Sequence, residues 1–142
     1  MSGAPAAPGM RVELRCATVP FIGAIAEHYW FVVFDSRTGD CERWEVWQTK
    51  DAGGRSFGHV HCNLKEPGAG VGGGPARISA EWRGEEAAKI QAVLNKTEDL
   101  YPHRDRYLPW PGPNSNTFVA WVLREAGIAF ALPWKALGKD FT

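Results

Sequence analysis

The eight residues His28 to Asp35, HYWFVVFD, constrain the fold more than any other stretch. They are aromatic and β-branched, too few for a stable helix, and apolar at odd and even positions alike. Such a run predicts a strand covered on both faces, central in a sheet. The segments around it supply neighbours. Val12 to Cys16 reads as a first strand, and Pro20 to Ala26 leads into the central one. Ser36 to Asp40, with Thr38-Gly39-Asp40, predicts a turn, after which Glu42 to Thr49 returns as a second strand. Lys50 to Arg55 turns again into Ser56 to Leu64, and Ala76 to Trp82 makes a fourth strand. Helical spacing begins only later. Glu85 to Tyr101 carries Ala87, Ile90, Val93, Leu94 and Tyr101 along one face, and Ser115 to Ala126 forms a second helix closed by Gly127 at C′. Strands first and helices after them predict an α+β fold, an antiparallel meander of three or four strands with two packed helices.

Length and charge bound the rest. A chain of 142 residues suits one domain, expected over residues 10–142, behind a flexible Ala/Pro/Gly-rich segment at 1–9. Basic and acidic residues balance at 16 each, so there is no bulk attraction for nucleic acid or an anionic membrane, and neither is an expected partner. Cys16, Cys41 and Cys62 are odd in number and form no CxxC pair, which predicts buried thiols in a reducing compartment. With no secretory leader read at the start and no apolar run near the roughly 20 residues of a membrane span, the expected location is cytoplasmic. The run GAGVGGG between Pro67 and Pro75 looks like a phosphate cradle, but no Lys-Ser/Thr follows it and no helix opens after it. It predicts a flexible loop instead.

The chemistry concentrates further on. Pro111-Gly112-Pro113 restricts the backbone immediately before Asn114, Ser115, Asn116 and Thr117, four side chains that can each cap a helix where one suffices. A helix start offers unpaired N–H groups and a partial positive charge, so it stabilises an oxygen nucleophile, an oxyanion or a bound anion. The corner therefore reads either as a capped helix or as a site that Ser115 or a neighbouring amide presents to a cleft. A serine nucleophile needs a base, and His28, opening the central strand after Glu27, is the candidate. A strand-end histidine making a local hydrogen bond is the plainer alternative. His59 and His61 share a strand face with Asn63, but no third ligand is placed, so no metal is expected and the row predicts the wet face of the sheet. No cofactor is expected either. Of seven tryptophans, Trp110 and Trp134 flank the polar corner, where an indole lines a pocket or packs as core.

The stretch YPHRDRYLPWPGPNSNTFVAWVLREAG followed by LPWKALGKDF, together with RWEVW at 43–47 and RGEEA at 83–87, resembles the DUF3750 family, a bacterial family of unknown function, over about residues 26–141. Trp134-Lys135 departs from that pattern, where a Pro and a small polar residue are usual. The order of parts is also similar to circularly permuted papain-like proteins of the LRAT-like and NlpC/P60-like kind, in which an early-strand histidine precedes a cysteine at a later helix start. That layout implies His28 as base and Ser115 in the nucleophile's place. Serine for cysteine is a departure, because a hydroxyl depends wholly on its base.

These readings predict a hydrolase or acyltransferase site with Ser115 and His28 as catalytic residues. Asn114, Asn116, Thr117 and Trp110 are expected to bind, with Asn114, Asn116 or backbone amides as oxyanion donors. The alternative is a non-catalytic module that holds a small anionic ligand or a peptide at the same corner.

Overall fold

The central strand lies where its apolar pattern puts it. In the computed structural model, which describes residues 9–21, 24–35, 37–53, 55–63, 66, 69–70 and 75–142, β2 (Ala24–Asp35) sits between β1 (Met10–Phe21) and β3 (Asp40–Val46). Both pairings are antiparallel, with Cys16 opposite Tyr29 on one side and Phe31 opposite Trp44 on the other. β4 (Arg55–Phe57), β5 (Val60–Cys62) and β6 (Arg77–Arg83) complete a six-stranded antiparallel sheet in the order β4-β5-β3-β2-β1-β6. Three helices follow, α1 (Gly84–Leu94), α2 (Thr97–Leu100) and α3 (Ser115–Glu125). The fold is α+β.

Alternation along the strands sorts the sheet into two unlike faces. On one face Val12, Leu14, Tyr29, Phe31, Val33, Trp44 and Val60 meet Ile90 and Leu94 of α1 and Phe118, Val119 and Val122 of α3 in the main core. Each such fully buried aliphatic or aromatic side chain stabilises the fold by roughly 1.5–3 kcal/mol. The other face has a smaller apolar cluster of Ala17, Trp30 and Val32, edged by Val19, Phe34 and Trp47. Among these lie fully buried charged and polar groups, Arg43, Glu45 and His61. A sheet that buries ions on one face has them there in partnership, since an isolated buried charge is prohibitively costly.

Three differences from the sequence reading have local causes. The expected single strand Ser56 to Leu64 is the hairpin β4–β5. Gly58 turns it at φ 63°, and its Cα lies so close to the backbone of Arg104 that no side chain fits. The meander therefore ends in a hairpin, and β6 returns to the far edge beside β1. The expected helix Glu85 to Tyr101 breaks at Asn95. There the Thr97 hydroxyl takes the Leu94 carbonyl at 2.8 Å, and a separate turn, α2, begins. The His59–His61 row is not wet. His61 is fully enclosed, with Nδ1 at 2.7 Å from the Ser56 hydroxyl and Nε2 at 2.9 Å from the Thr49 carbonyl, and His59 Nδ1 faces the Trp47 carbonyl at 2.9 Å. His61 in β5 and His59 in the turn before it are enclosed by Ser56 of β4 and by the carbonyls of Trp47 and Thr49. The expected flexibility of residues 1–9 falls almost wholly on residues outside those described, as does most of the GAGVGGG loop.

Candidate active site

Two X-Pro bonds, Trp110–Pro111 and Gly112–Pro113, are cis, and the chain leaves them into Asn114, the N-cap of α3. Asn114 Oδ1 accepts from the N–H groups of Asn116 and Thr117 at 2.9 and 3.2 Å, and the Thr117 hydroxyl accepts from the Asn114 N–H at 3.0 Å. This reciprocal capping box satisfies three of the backbone donors at the helix start, those of Asn114, Asn116 and Thr117. The Phe118 N–H reaches the Asn114 carbonyl at 3.2 Å. Of the first-turn N–H groups, that of Ser115 remains without a partner among the described residues.

The abundance of capping residues has a second use, which is to tie α3 to the rest of the fold. Asn114 Nδ2 donates to the Pro109 and Leu137 carbonyls at 2.9 and 3.0 Å, and the Thr117 hydroxyl donates to the Gly138 carbonyl at 2.6 Å. Asn116 works on the edge of β2, beyond the last β2–β3 pair. Its Oδ1 accepts from the Tyr29 N–H at 3.1 Å, and its Nδ2 donates to the Glu27 and Leu137 carbonyls at 2.7 and 3.0 Å. The Glu27 N–H meets the Lys135 carbonyl at 2.9 Å. Where β3 leaves β2, a helix side chain and the C-terminal tail take over its hydrogen bonds. That junction carries His28, the residue between Glu27 and Tyr29.

His28 is buried, and its Nε2 lies 3.1 Å from Glu45 Oε1. Its ring stacks on Trp47 and Trp30 with centroids 4.6 and 5.5 Å away. Glu45 is itself gripped by Arg43, Nε to Oε2 at 2.5 Å and a terminal nitrogen to Oε1 at 3.0 Å. Arg43 also donates to the Glu66 and Ala69 carbonyls at 2.9 and 2.6 Å and lies over the Trp30 ring at 4.0 Å. Burial acts to raise the Glu45 pKa, but the hydrogen bonds and charges of His28 and Arg43 outweigh it and hold the carboxyl below its ordinary value. Glu45 is therefore a carboxylate, aimed at a histidine whose ring stacks on two indoles.

Ser115 and His28 line one cavity of about 270 Å³, together with Trp47, Gln48, Tyr107 and Leu137 among others. Among the described residues the Ser115 hydroxyl forms no hydrogen bond, to His28 or to any other group. Asn114 and Asn116 also border the cavity, but their carboxamides are engaged as above, as is the Thr117 hydroxyl. The N–H of Ser115 is thus the donor that the corner leaves open. Trp110 is 58% exposed and borders a different cavity, with Pro111, Gly138 and Phe141. No group of three or more metal-ligating side chains is present among the described residues, and no described helix is long and apolar enough to cross a membrane.

The sequence reading missed Glu45. A signal existed in RWEVW, where Arg43, Glu45 and Trp47 alternate with Trp44 and Val46, so one face of a strand beside the central one carries an ion pair. Pairing that face with His28 needed the register that sets Phe31 opposite Trp44. The cysteines are free thiols, and burial pushes all three pKa values up, that of Cys62 to about 12.

No curated protein and no solved structure matches the chain. The model of a protein family of unknown function, DUF3750, matches residues 9–141, and the chain belongs to that family.

Proposed function

We propose that this chain is a hydrolase or acyltransferase acting through Ser115, with His28 as base and Glu45 holding the imidazole. The observation that carries the reading is the shared cavity, lined by a helix-start serine and by a histidine backed by a buried carboxylate. A carboxylate only accepts, so His28 Nε2 bears its proton toward Glu45, and in the neutral ring Nδ1 has the lone pair. Ser115 Oγ attacks the carbonyl carbon of an ester or amide, and the hydroxyl proton passes to His28 Nδ1. The carbonyl π pair moves onto oxygen, facing the Ser115 N–H at the positive end of α3. Collapse expels the leaving group, which takes the proton from His28. Water or an acceptor hydroxyl then releases the acyl group by the same path in reverse. Because Arg43 shares Glu45, the carboxylate orients His28 more than it stabilises the imidazolium.

A second reading, a binding module for a carboxylate, a phosphate or a peptide terminus, is favoured by the Ser115 hydroxyl having no hydrogen bond to His28. Incubation with an alkyl phosphonofluoridate and peptide mass mapping separates the two. The hydrolase reading expects one phosphonyl group on Ser115, slowed roughly 10²–10⁴-fold in His28→Ala. An unlabelled protein supports the binding module instead.

A further inference from the structure

An oxyanion needs more than one donor, and the corner of α3 leaves only the Ser115 N–H open. The side chains beside it are engaged, Asn116 across β2 and Asn114 and Thr117 within the cap and tail. A second donor has to come from elsewhere in the cavity lining. Beside His28 and the corner itself, three residues of that lining have side-chain hydrogens to give, Trp47, Gln48 and Tyr107. The Trp47 ring is committed to its stack on His28, and neither the Gln48 carboxamide nor the Tyr107 hydroxyl forms a hydrogen bond among the described residues. Gln48 is exposed, so its side chain would have to be ordered at each turnover. Tyr107 is already held. Its ring packs against His59 at a centroid distance of 5.6 Å, His59 is fixed by the Trp47 and Arg104 carbonyls, and the next residue, Leu108, donates to the Pro113 carbonyl at 2.9 Å.

We propose that the Tyr107 hydroxyl is the second oxyanion donor of the Ser115 site, a role that rests on the hydrolase reading above. As Ser115 Oγ bonds to the carbonyl carbon and its proton moves to His28, the electron pair gathering on the carbonyl oxygen accepts from Tyr107 O–H and Ser115 N–H together. No proton leaves Tyr107 in this step. Burial holds its pKa above the ordinary phenol value, so it stays a donor throughout the neutral range. The other two tyrosines are excluded by position, since the Tyr29 hydroxyl donates to Glu27 and Tyr101 is enclosed in the core.

Two reactions at position 115 test this. Phosphonylation by a phosphonofluoridate loads negative charge onto the P=O oxygen as fluoride departs. Alkylation of Ser115→Cys by iodoacetamide forms a C–S bond with no oxyanion at all. Tyr107→Phe is expected to slow phosphonylation of Ser115 roughly 10²–10³-fold while leaving alkylation in the Ser115→Cys background unchanged, and Gln48→Ala is expected to leave both near wild type. Phosphonylation indifferent to Tyr107→Phe would overturn the assignment and leave the hydrolase reading intact. Equal slowing of both reactions would also overturn it, marking Tyr107 as a packing residue. A wild-type protein that takes no label removes the hydrolase reading and this inference with it.

Discussion

Replacing Asn116 by alanine should be the most damaging single change at the corner. The side chain makes three hydrogen bonds, to the Tyr29 N–H and to the Glu27 and Leu137 carbonyls, and the residue is 3% exposed. Leu137 keeps a second donor in Asn114 Nδ2. Alanine therefore strands two backbone groups of β2, the Tyr29 N–H and the Glu27 carbonyl, where β3 no longer covers that edge. At about 1–3 kcal/mol for each unsatisfied buried group, the loss should come to about 2–6 kcal/mol. Urea unfolding followed by tryptophan fluorescence should show this as a lower midpoint at unchanged slope. Asn116→Asp separates the two halves, since it keeps the acceptor for Tyr29 but turns an acceptor onto the Glu27 carbonyl, and it should cost at least as much as alanine. A loss below about 1 kcal/mol for Asn116→Ala would mean that water or the tail satisfies this edge, and that Asn116 does not fix α3 against β2.

Gly138→Ala should destabilise the tail, because φ there is +96° and a methyl group would overlap the Asn114 carboxamide; a melting temperature within a degree of wild type would contradict this. Tyr101→Phe should leave stability unchanged or raise it by about 1 kcal/mol, since the enclosed hydroxyl has no partner among the described residues; a clear loss would reveal a partner. Glu45 titrates lower folded than unfolded, so the stability it adds is complete above its ordinary value of 4.5 and is lost as pH falls toward the folded pKa. Glu45→Gln should flatten that part of the acid-unfolding profile while costing about 3–5 kcal/mol at neutral pH, because buried Arg43 loses its counter-ion; an unaltered profile would refute the assignment. His61, whose pKa burial lowers, should add a second decline as pH drops below its ordinary 6.5, absent in His61→Asn.

The parts of the fold legible in the sequence were those set by local pattern. HYWFVVFD is apolar at every other position on both faces, so its central place followed without knowledge of its neighbours. Asn114 to Thr117 announced a helix start by capping chemistry alone, and Gly127 announced the stop at φ 71°. What stayed hidden depended on contacts between distant segments. The helix break at Asn95 leaves the apolar face in phase, so periodicity runs through it. The β4–β5 turn at Gly58 packs against the backbone of Arg104, far along the chain, a contact no local pattern shows. Ser115 and His28, which line one cavity, could be put forward as candidates from residue type and layout. Glu45 could not, because its partnership with His28 exists only through the β2–β3 register, and neither could the engagement of Asn116 by the edge of β2.

The central claim is that the start of α3 and His28 act on one another across the shared cavity. Ser115→Cys makes this measurable without a substrate, as the rate of alkylation by iodoacetamide against pH, with and without His28→Ala. A helix start and a histidine partner both lower a thiol pKa, so Cys at 115 should react faster at neutral pH than Cys16, Cys41 or Cys62, whose pKa values burial raises. Loss of His28 should slow it and move the rate profile to higher pH. A thiol at 115 that reacts no faster than an ordinary free thiol, and is indifferent to the loss of His28, would contradict the pairing.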